Sequence, residues 1–115
     1  MKTFSGNGEN GPSDGPHSLA QYNQPAGMAF VNDEIFYLAD MRNSCIRRLK
    51  KSFVLVYSAV CRASDKPAGA VVDGKLANAA FGWPVGVVTD GKGRLFTSDY
   101  GFQRIRVITL KLPEN

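Results

Sequence analysis

Histidine occurs once in this chain, tryptophan once and cysteine twice. One histidine per chain cannot furnish a multi-histidine metal cluster unless several chains assemble. The two cysteines, Cys45 and Cys61, lack C-x-x-C spacing and are too few for a disulfide framework, so they read as small packing residues. There is no N-x-[ST] glycosylation acceptor, no apolar run near the roughly 18 residues that span a bilayer, and no apolar stretch after Lys2 to make a secretory signal. These absences leave an intracellular, non-membrane setting as the default. Charge of neither sign dominates: a net charge of +4 permits an anionic partner without requiring one. With 43% hydrophobic and 21% charged residues over 115 positions, the composition excludes disordered, collagenous and coiled-coil chains and fits one domain or part of one.

What the sequence does contain is one stretch twice. Residues 14–47 align with residues 73–106 at a constant offset of 59, and eight of the 34 positions are identical: Asp14/Asp73, Gly15/Gly74, Ala20/Ala79, Pro25/Pro84, Gly27/Gly86, Asp40/Asp99, Ile46/Ile105 and Arg47/Arg106. Average composition would give about two. Tyr22/Phe81, Phe36/Leu95 and Tyr37/Phe96 are conservative pairs.

In the first copy, 27–31 (GMAFV) and 34–39 (EIFYLA) flank the turn pair Asn32-Asp33 and predict a hairpin. Residues 40–44 (DMRNS) are turn formers, and strands follow at 45–49 and 53–60. The second copy predicts strands at 86–89, 94–98 and 104–110, around turns at 90–93 and 99–101. IFYLA and VLVYSAV are apolar on both faces, which predicts sheets covered on both sides. Small antiparallel sheets repeated radially are the blades of a β-propeller.

The expected fold is therefore all-β, with two four-stranded antiparallel blades. Residues 1–6 read as an orphan outer strand, 7–24 as a loop, 25–60 as the first blade, 61–83 as a loop and 84–110 as a second blade lacking its last strand. KTFSG (2–6) and VYSAV (56–60) each precede a loop that runs to an Asp-Gly pair, so the units read as circularly permuted by one strand.

The order Asp-Gly, an apolar residue, Pro, Gly-Met-Ala-Phe or Gly-Val-Val-Thr, an apolar strand ending in Asp, and then Ile-Arg resembles the NHL repeat of β-propeller proteins over about residues 2–110. The family's second strand is typically followed by Asp, a small residue, Gly-Asn-His-Arg-Ile and a polar or basic residue. The first copy (40–47, DMRNSCIR) keeps Asp, Asn, Ile and Arg but loses Gly and the His-Arg pair, and the second (99–106, DYGFQRIR) keeps Gly and Arg but replaces Asn and His. The resemblance implies structural duty for Pro25, Gly27, Asp40, Ile46, Pro84, Gly86, Asp99 and Ile105. It also implies a closed ring, commonly of six blades. Two units cannot close one, so the chain reads either as a piece of a longer protein or as a cyclic homo-oligomer, three chains giving six blades.

The candidate chemistry is sparse. Residues 6–11 (GNGENG) match G-x-G-x-x-G, but Pro12, Gly15 and Pro16 follow, and the helix that a dinucleotide site needs cannot form. His17, beside Ser18, has no nucleophile elbow and reads as a surface loop residue. Asp40 and Asp99 end the second strand of each unit, where a carboxylate accepts backbone donors of the following turn. Arg42, Arg47, Arg48, Lys50, Lys51, Arg104 and Arg106 are candidate anion or RNA contacts, with Trp83, Tyr100 and Phe102 as stacking surfaces. The competing reading of that basic set is a solvated sheet edge guarded against aggregation.

No cofactor is implied. The leading expectation is a non-enzymatic propeller module that binds a protein or a small ligand. Alternatives implied by the resemblance are a lyase- or hydrolase-type propeller enzyme with an axial metal site, and RNA binding through a basic face.

Overall fold

The computed structural model describes residues 1–51, the strand Val56–Ser58 and residues 81–110. Seven strands follow in order: β1 (Pro25–Phe30), β2 (Ile35–Asp40), β3 (Cys45–Lys50), β4 (Val56–Ser58), β5 (Pro84–Thr89), β6 (Arg94–Asp99) and β7 (Arg104–Thr109). They form two antiparallel meanders, β1-β2-β3-β4 and β5-β6-β7. The remainder of the expected fourth strand, Cys61, most of the 61–83 loop and residues 111–115 lie outside the described residues. Among the described residues no helix is long and apolar enough to cross a membrane.

The 59-residue offset holds in the backbone as well as in the sequence. Both first hairpins shift register just after the repeated proline, between Pro25 and Met28 and between Pro84 and Gly86. The Val31 amide donates to the Ile35 carbonyl as the Asp90 amide does to Arg94, and Lys51 donates to Glu34 as Leu110 does to Gly93. At the turn from second to third strand, Ser44 and Gln103 adopt left-handed φ values of 57° and 54°. Such values are uncommon for residues with a Cβ, so their recurrence at one repeat position marks a shared turn and not an accident of either loop.

Side chains alternate across each strand, and this alternation decides which face meets what. On one face of the first sheet, Ile35, Tyr37, Ala39 and Ile46 pack with Phe81, Val87, Leu95, Ile108 and Leu110 of the second unit, forming the core between the sheets. On the opposite face Phe36, Leu38 and Leu49 pack with Ala20 and Tyr22 of the lead-in segment. Every residue of β2 is therefore buried. The second sheet departs from the expectation of two covered faces. β6 and β7 alternate in exposure, and Val88, Ile105 and Val107 are all more than half exposed.

The sheets converge most tightly at their first strands. A Cβ built on Gly27 would lie 3.0 Å from the Gly86 Cα, 3.0 Å from the Val85 carbonyl oxygen and 3.2 Å from the Val87 nitrogen. All three are backbone atoms, so only glycine lets β1 and β5 approach this closely.

Residues 1–6 form no strand, contrary to the orphan-strand expectation. Phe4 instead lies against His17 and Phe36, at ring centroid distances of 4.7 and 5.9 Å. The glycine-rich segment that follows is a loop, as its prolines require. Gly6, Asn7 and Gly11 donate backbone hydrogen bonds to His17, Ala20 and Tyr22.

The β5–β6 turn shows how local chemistry sets a hairpin. One Asp90 carboxylate oxygen accepts from the Lys92 and Arg94 amides at 2.7 and 3.0 Å, and the other accepts from Arg94 Nε at 2.7 Å. The Arg94 side-chain bond, followed by the Lys92 amide, lowers the Asp90 pKa to about 2. A depressed folded-state pKa favours the folded state above the ordinary carboxylate range, and that contribution is lost as pH falls through about 2. An NMR titration of the Asp90 side chain is expected to show a midpoint near that value in the native chain. Arg94→Ala should move the midpoint up toward the ordinary carboxylate pKa; an unmoved midpoint would show that Arg94 is not the cause.

Candidate functional site

Three of the seven residues of the sequence-predicted basic surface, Arg47, Arg48 and Arg106, are consumed by the fold. Arg47 is fully buried. Its Nη1 donates to an Asp40 carboxylate oxygen and to the Gln21 carbonyl, each at 2.7 Å. Its Nη2 donates to the Ser13 carbonyl at 3.0 Å and to the Asp14 carboxylate at 2.8 Å. The guanidinium also lies 4.8 Å from the Tyr22 ring centre. Asp40, equally buried, accepts from the Asn23 amide at 2.8 Å and from Asn43 Nδ2 at 2.7 Å, and that Asn43 nitrogen also donates to the Gly11 carbonyl. Asp40, Asn43 and Arg47 thus lace the loop 11–23 onto the first sheet.

The second unit repeats the knot with looser geometry. Asp99 accepts from the Gly82 and Trp83 amides at 2.9 and 3.0 Å, from the Phe102 amide at 3.4 Å and from Arg106 Nη1 at 3.4 Å. Arg106 lies 5.2 Å from the Phe81 ring centre, as Arg47 lies over Tyr22. Both aspartates thus grip the segment entering the first strand of their sheet and reach the following turn, Asp40 through the Asn43 side chain and Asp99 through the Phe102 amide.

These contacts correct the reading of Arg47, Arg48 and Arg106 as phosphate contacts. All three are buried: Arg48 pairs in register with Tyr37 on β2, and Arg47 and Arg106 spend their charge on carboxylates inside the fold. Lys50 is half-buried, while Lys51 and Arg104 are exposed. Asn43, which sequence reasoning missed, is held by its place in the turn after Asp40. The pairing of Asp with Arg seven residues later, present in both copies, was the signal that could have revealed the ion pairs.

His17 is buried, not a surface loop residue. Its Nε2 lies 2.8 Å from the Lys50 carbonyl, and because a carbonyl only accepts, this nitrogen carries the proton. Nδ1 lies 2.8 Å from the Ser5 hydroxyl, which in turn lies 2.7 Å from the Tyr22 hydroxyl. Burial raises the Tyr22 pKa, outweighing the opposing Ser5 hydrogen bond and the nearby Arg47 charge. The relay resembles a nucleophile with its base, but the adjacent Gly6 and Asn7 amides, which an oxyanion hole would need, already donate to His17 and Ala20. It is a strap that holds the lead-in segment to the end of β3. Among the described residues no group of three or more His, Cys, Asp and Glu side chains converges as a metal site. Cys45 is disulfide-bonded, which corrects its reading as a packing thiol. Disulfides persist in oxidising compartments, so the small cysteine count no longer argues for a reducing one.

What remains at the surface lies at the end of the sheets where β2 turns into β3 and β6 into β7. Arg42, in the 3-10 turn Met41–Asn43, sits 4.7 Å from the Trp83 ring centre. Tyr100 stacks on Trp83 at 6.1 Å with an interplanar angle of 18° and is 68% exposed. The trio bridges the two units, because Arg42 belongs to the first and both rings to the second. Trp83 Nε1 is buried and has no hydrogen-bond partner among the described residues.

Fold and site together define an all-β chain of two packed, repeated antiparallel sheets. No family model matches the sequence, and no curated protein matches it. Solved structures do. A structural genomics protein of unknown function from Bacteroides thetaiotaomicron superposes with a TM-score of 0.81 at 26% identity, over 92% of this chain and 26% of its own. A second protein from that organism, provisionally named a phosphatase, matches with a TM-score of 0.75 at 22% identity, over 97% of this chain and 27% of its own. The chain thus spans about a quarter of each of these larger proteins.

Proposed function

We propose that the chain is a pair of adjacent NHL-type propeller blades, from a ring of six, and that it acts as a non-enzymatic binding module. Its contact surface is the loop end bearing Arg42, Trp83 and Tyr100, and its partner is an acidic segment of another protein. The observation that carries this reading is the aromatic and cationic stack bridging the two blades at that end. Aromatic rings combined with arginine are the side chains that most often anchor recognition surfaces. The exposed Arg104 adds positive charge at the same end of the second sheet, and the chain's net charge is +4. The groups that would attract a catalytic assignment, His17, Asp40 and Asp99, are engaged in holding the fold.

Trp83 is the sole tryptophan, so its emission reports on this surface alone. Titration with a peptide of mixed glutamate and tyrosine is expected to shift that emission saturably. Tyr100→Ser should weaken binding about fivefold, the equivalent of about 1 kcal/mol of stacking. Unchanged emission throughout the titration would sink the proposal. Saturable quenching by single-stranded RNA, steeply weakened by salt, with none by the peptide would put RNA binding in its place.

A further inference from the structure

The exposed face of the second sheet and a cleft on the first are repeat counterparts of the two surfaces already packed together inside the chain. Val88, Ile105 and Val107, exposed at 61%, 73% and 56%, stand 59 positions after Ala29, Ile46 and Arg48. Ala29 and Ile46 belong to the covered core face of the first sheet. On the other side of that sheet, an apolar cleft of about 530 Å³ is lined by Phe4, Met28, Phe30, Phe36, Leu38 and Leu49. Met28, Phe36 and Leu49 stand 59 positions before Val87, Leu95 and Ile108, the residues that receive Ile46 and Ala29. Met28 and Phe30 remain about half exposed, at 57% and 49%.

The two glycines sharpen the correspondence. Gly27 is required because β5 backbone approaches it to 3.0 Å. Gly86 repeats Gly27, yet among the described residues a Cβ built on it meets the Ser98 hydroxyl oxygen, at 3.2 Å, and no backbone. Among the described residues of one chain nothing crowds Gly86 as β5 crowds Gly27. A first strand arriving from outside, in the same geometry, would.

From this we infer that the chain self-associates head to tail: the β5–β7 face of one copy docks into the cleft of a second copy, reproducing the interface between its own two sheets. The occupant is a second copy because that internal interface already supplies both matching surfaces. The contact is heterologous, so each copy offers one of each surface, and a rotation that closes gives a ring. The inference rests on the blade reading, under which three copies complete six blades.

Light scattering is expected to give about three times the 12.5 kDa chain mass. Val107→Glu, on the exposed face, and Phe30→Glu, in the cleft, should each reduce the mass to that of one chain with the far-UV signal retained. Mixing the two variants should restore a species of two chains, since the Val107→Glu copy keeps an intact cleft and the Phe30→Glu copy keeps an intact face. A folded wild-type monomer, an assembly broken by only one variant, or a mixture that stays monomeric would each overturn the inference. A folded monomer whose Trp83 still responds to the acidic peptide would leave the binding surface standing and remove self-association alone.

Discussion

Asp40→Ala is expected to cost about 3–5 kcal/mol, because it leaves the Arg47 guanidinium buried without its closest counter-charge. Against the roughly 5–15 kcal/mol that holds a typical domain folded, this is enough to populate unfolded chains at 25 °C. Two further groups lose an acceptor, the Asn23 amide and one bond of Asn43, so the loop 11–23 should detach before the sheets separate. Asp99→Ala should cost less. Its arginine contact is already long, at 3.4 Å, and the main loss is the acceptor for the Gly82 and Trp83 amides. Combining Asp40→Ala with Arg47→Met should recover part of the stability, since no charge is then stranded inside the protein. Urea unfolding followed by circular dichroism orders the three variants. Equal costs for the two aspartates, or no recovery in the double variant, would contradict the electrostatic account.

Gly27→Val is the second large effect, about 3 kcal/mol or more. Its Cβ would press on three backbone atoms of β5 before its two methyl groups are placed at all. Backbone on both sides cannot swing aside as a side chain could, so the strain can be relieved only by moving the sheets apart. That separation would open the core of Ile35, Ile46, Val87 and Leu95. Gly27→Ala should show the same sign at a smaller size. Ala26→Val, one residue earlier on the exposed side of β1, is the control and should stay within about 0.5 kcal/mol. Thermal unfolding with all three variants in one buffer decides the matter; a Gly27→Val chain as stable as the Ala26→Val control would show that the sheets approach less closely than described.

Much of the fold was legible because local chemistry and long-range packing agree here. The turn pairs, the repeated proline that opens β1 and β5, and the apolar runs each specify their element without help from distant residues. The open face of the second sheet was not legible: β6, RLFTSD, shows no apolar–polar alternation in its residues, and the almost wholly apolar β2 invited the expectation that both sheets are covered on both sides. The candidate site was less legible. Arginine next to lysine in 47–51 looks like a surface patch, because a one-dimensional charge run does not reveal which guanidinium points into a carboxylate. His17 looked like a loop residue because its partners, Ser5 and the Lys50 carbonyl, lie 12 and 33 residues away. The lead-in Phe4 resembled an orphan strand until its ring was seen against Phe36.

The sequence alone determined that the chain is built from one β unit used twice at an offset of 59, because repeated turn residues constrain the backbone wherever they fall. Only the tertiary structure decided that the repeated Asp and Arg are internal ion pairs, which requires the loop to close over the sheet. Only the packing of β1 against β5 gave the repeated glycine its reason, and with it a reason to ask what packs against Gly86.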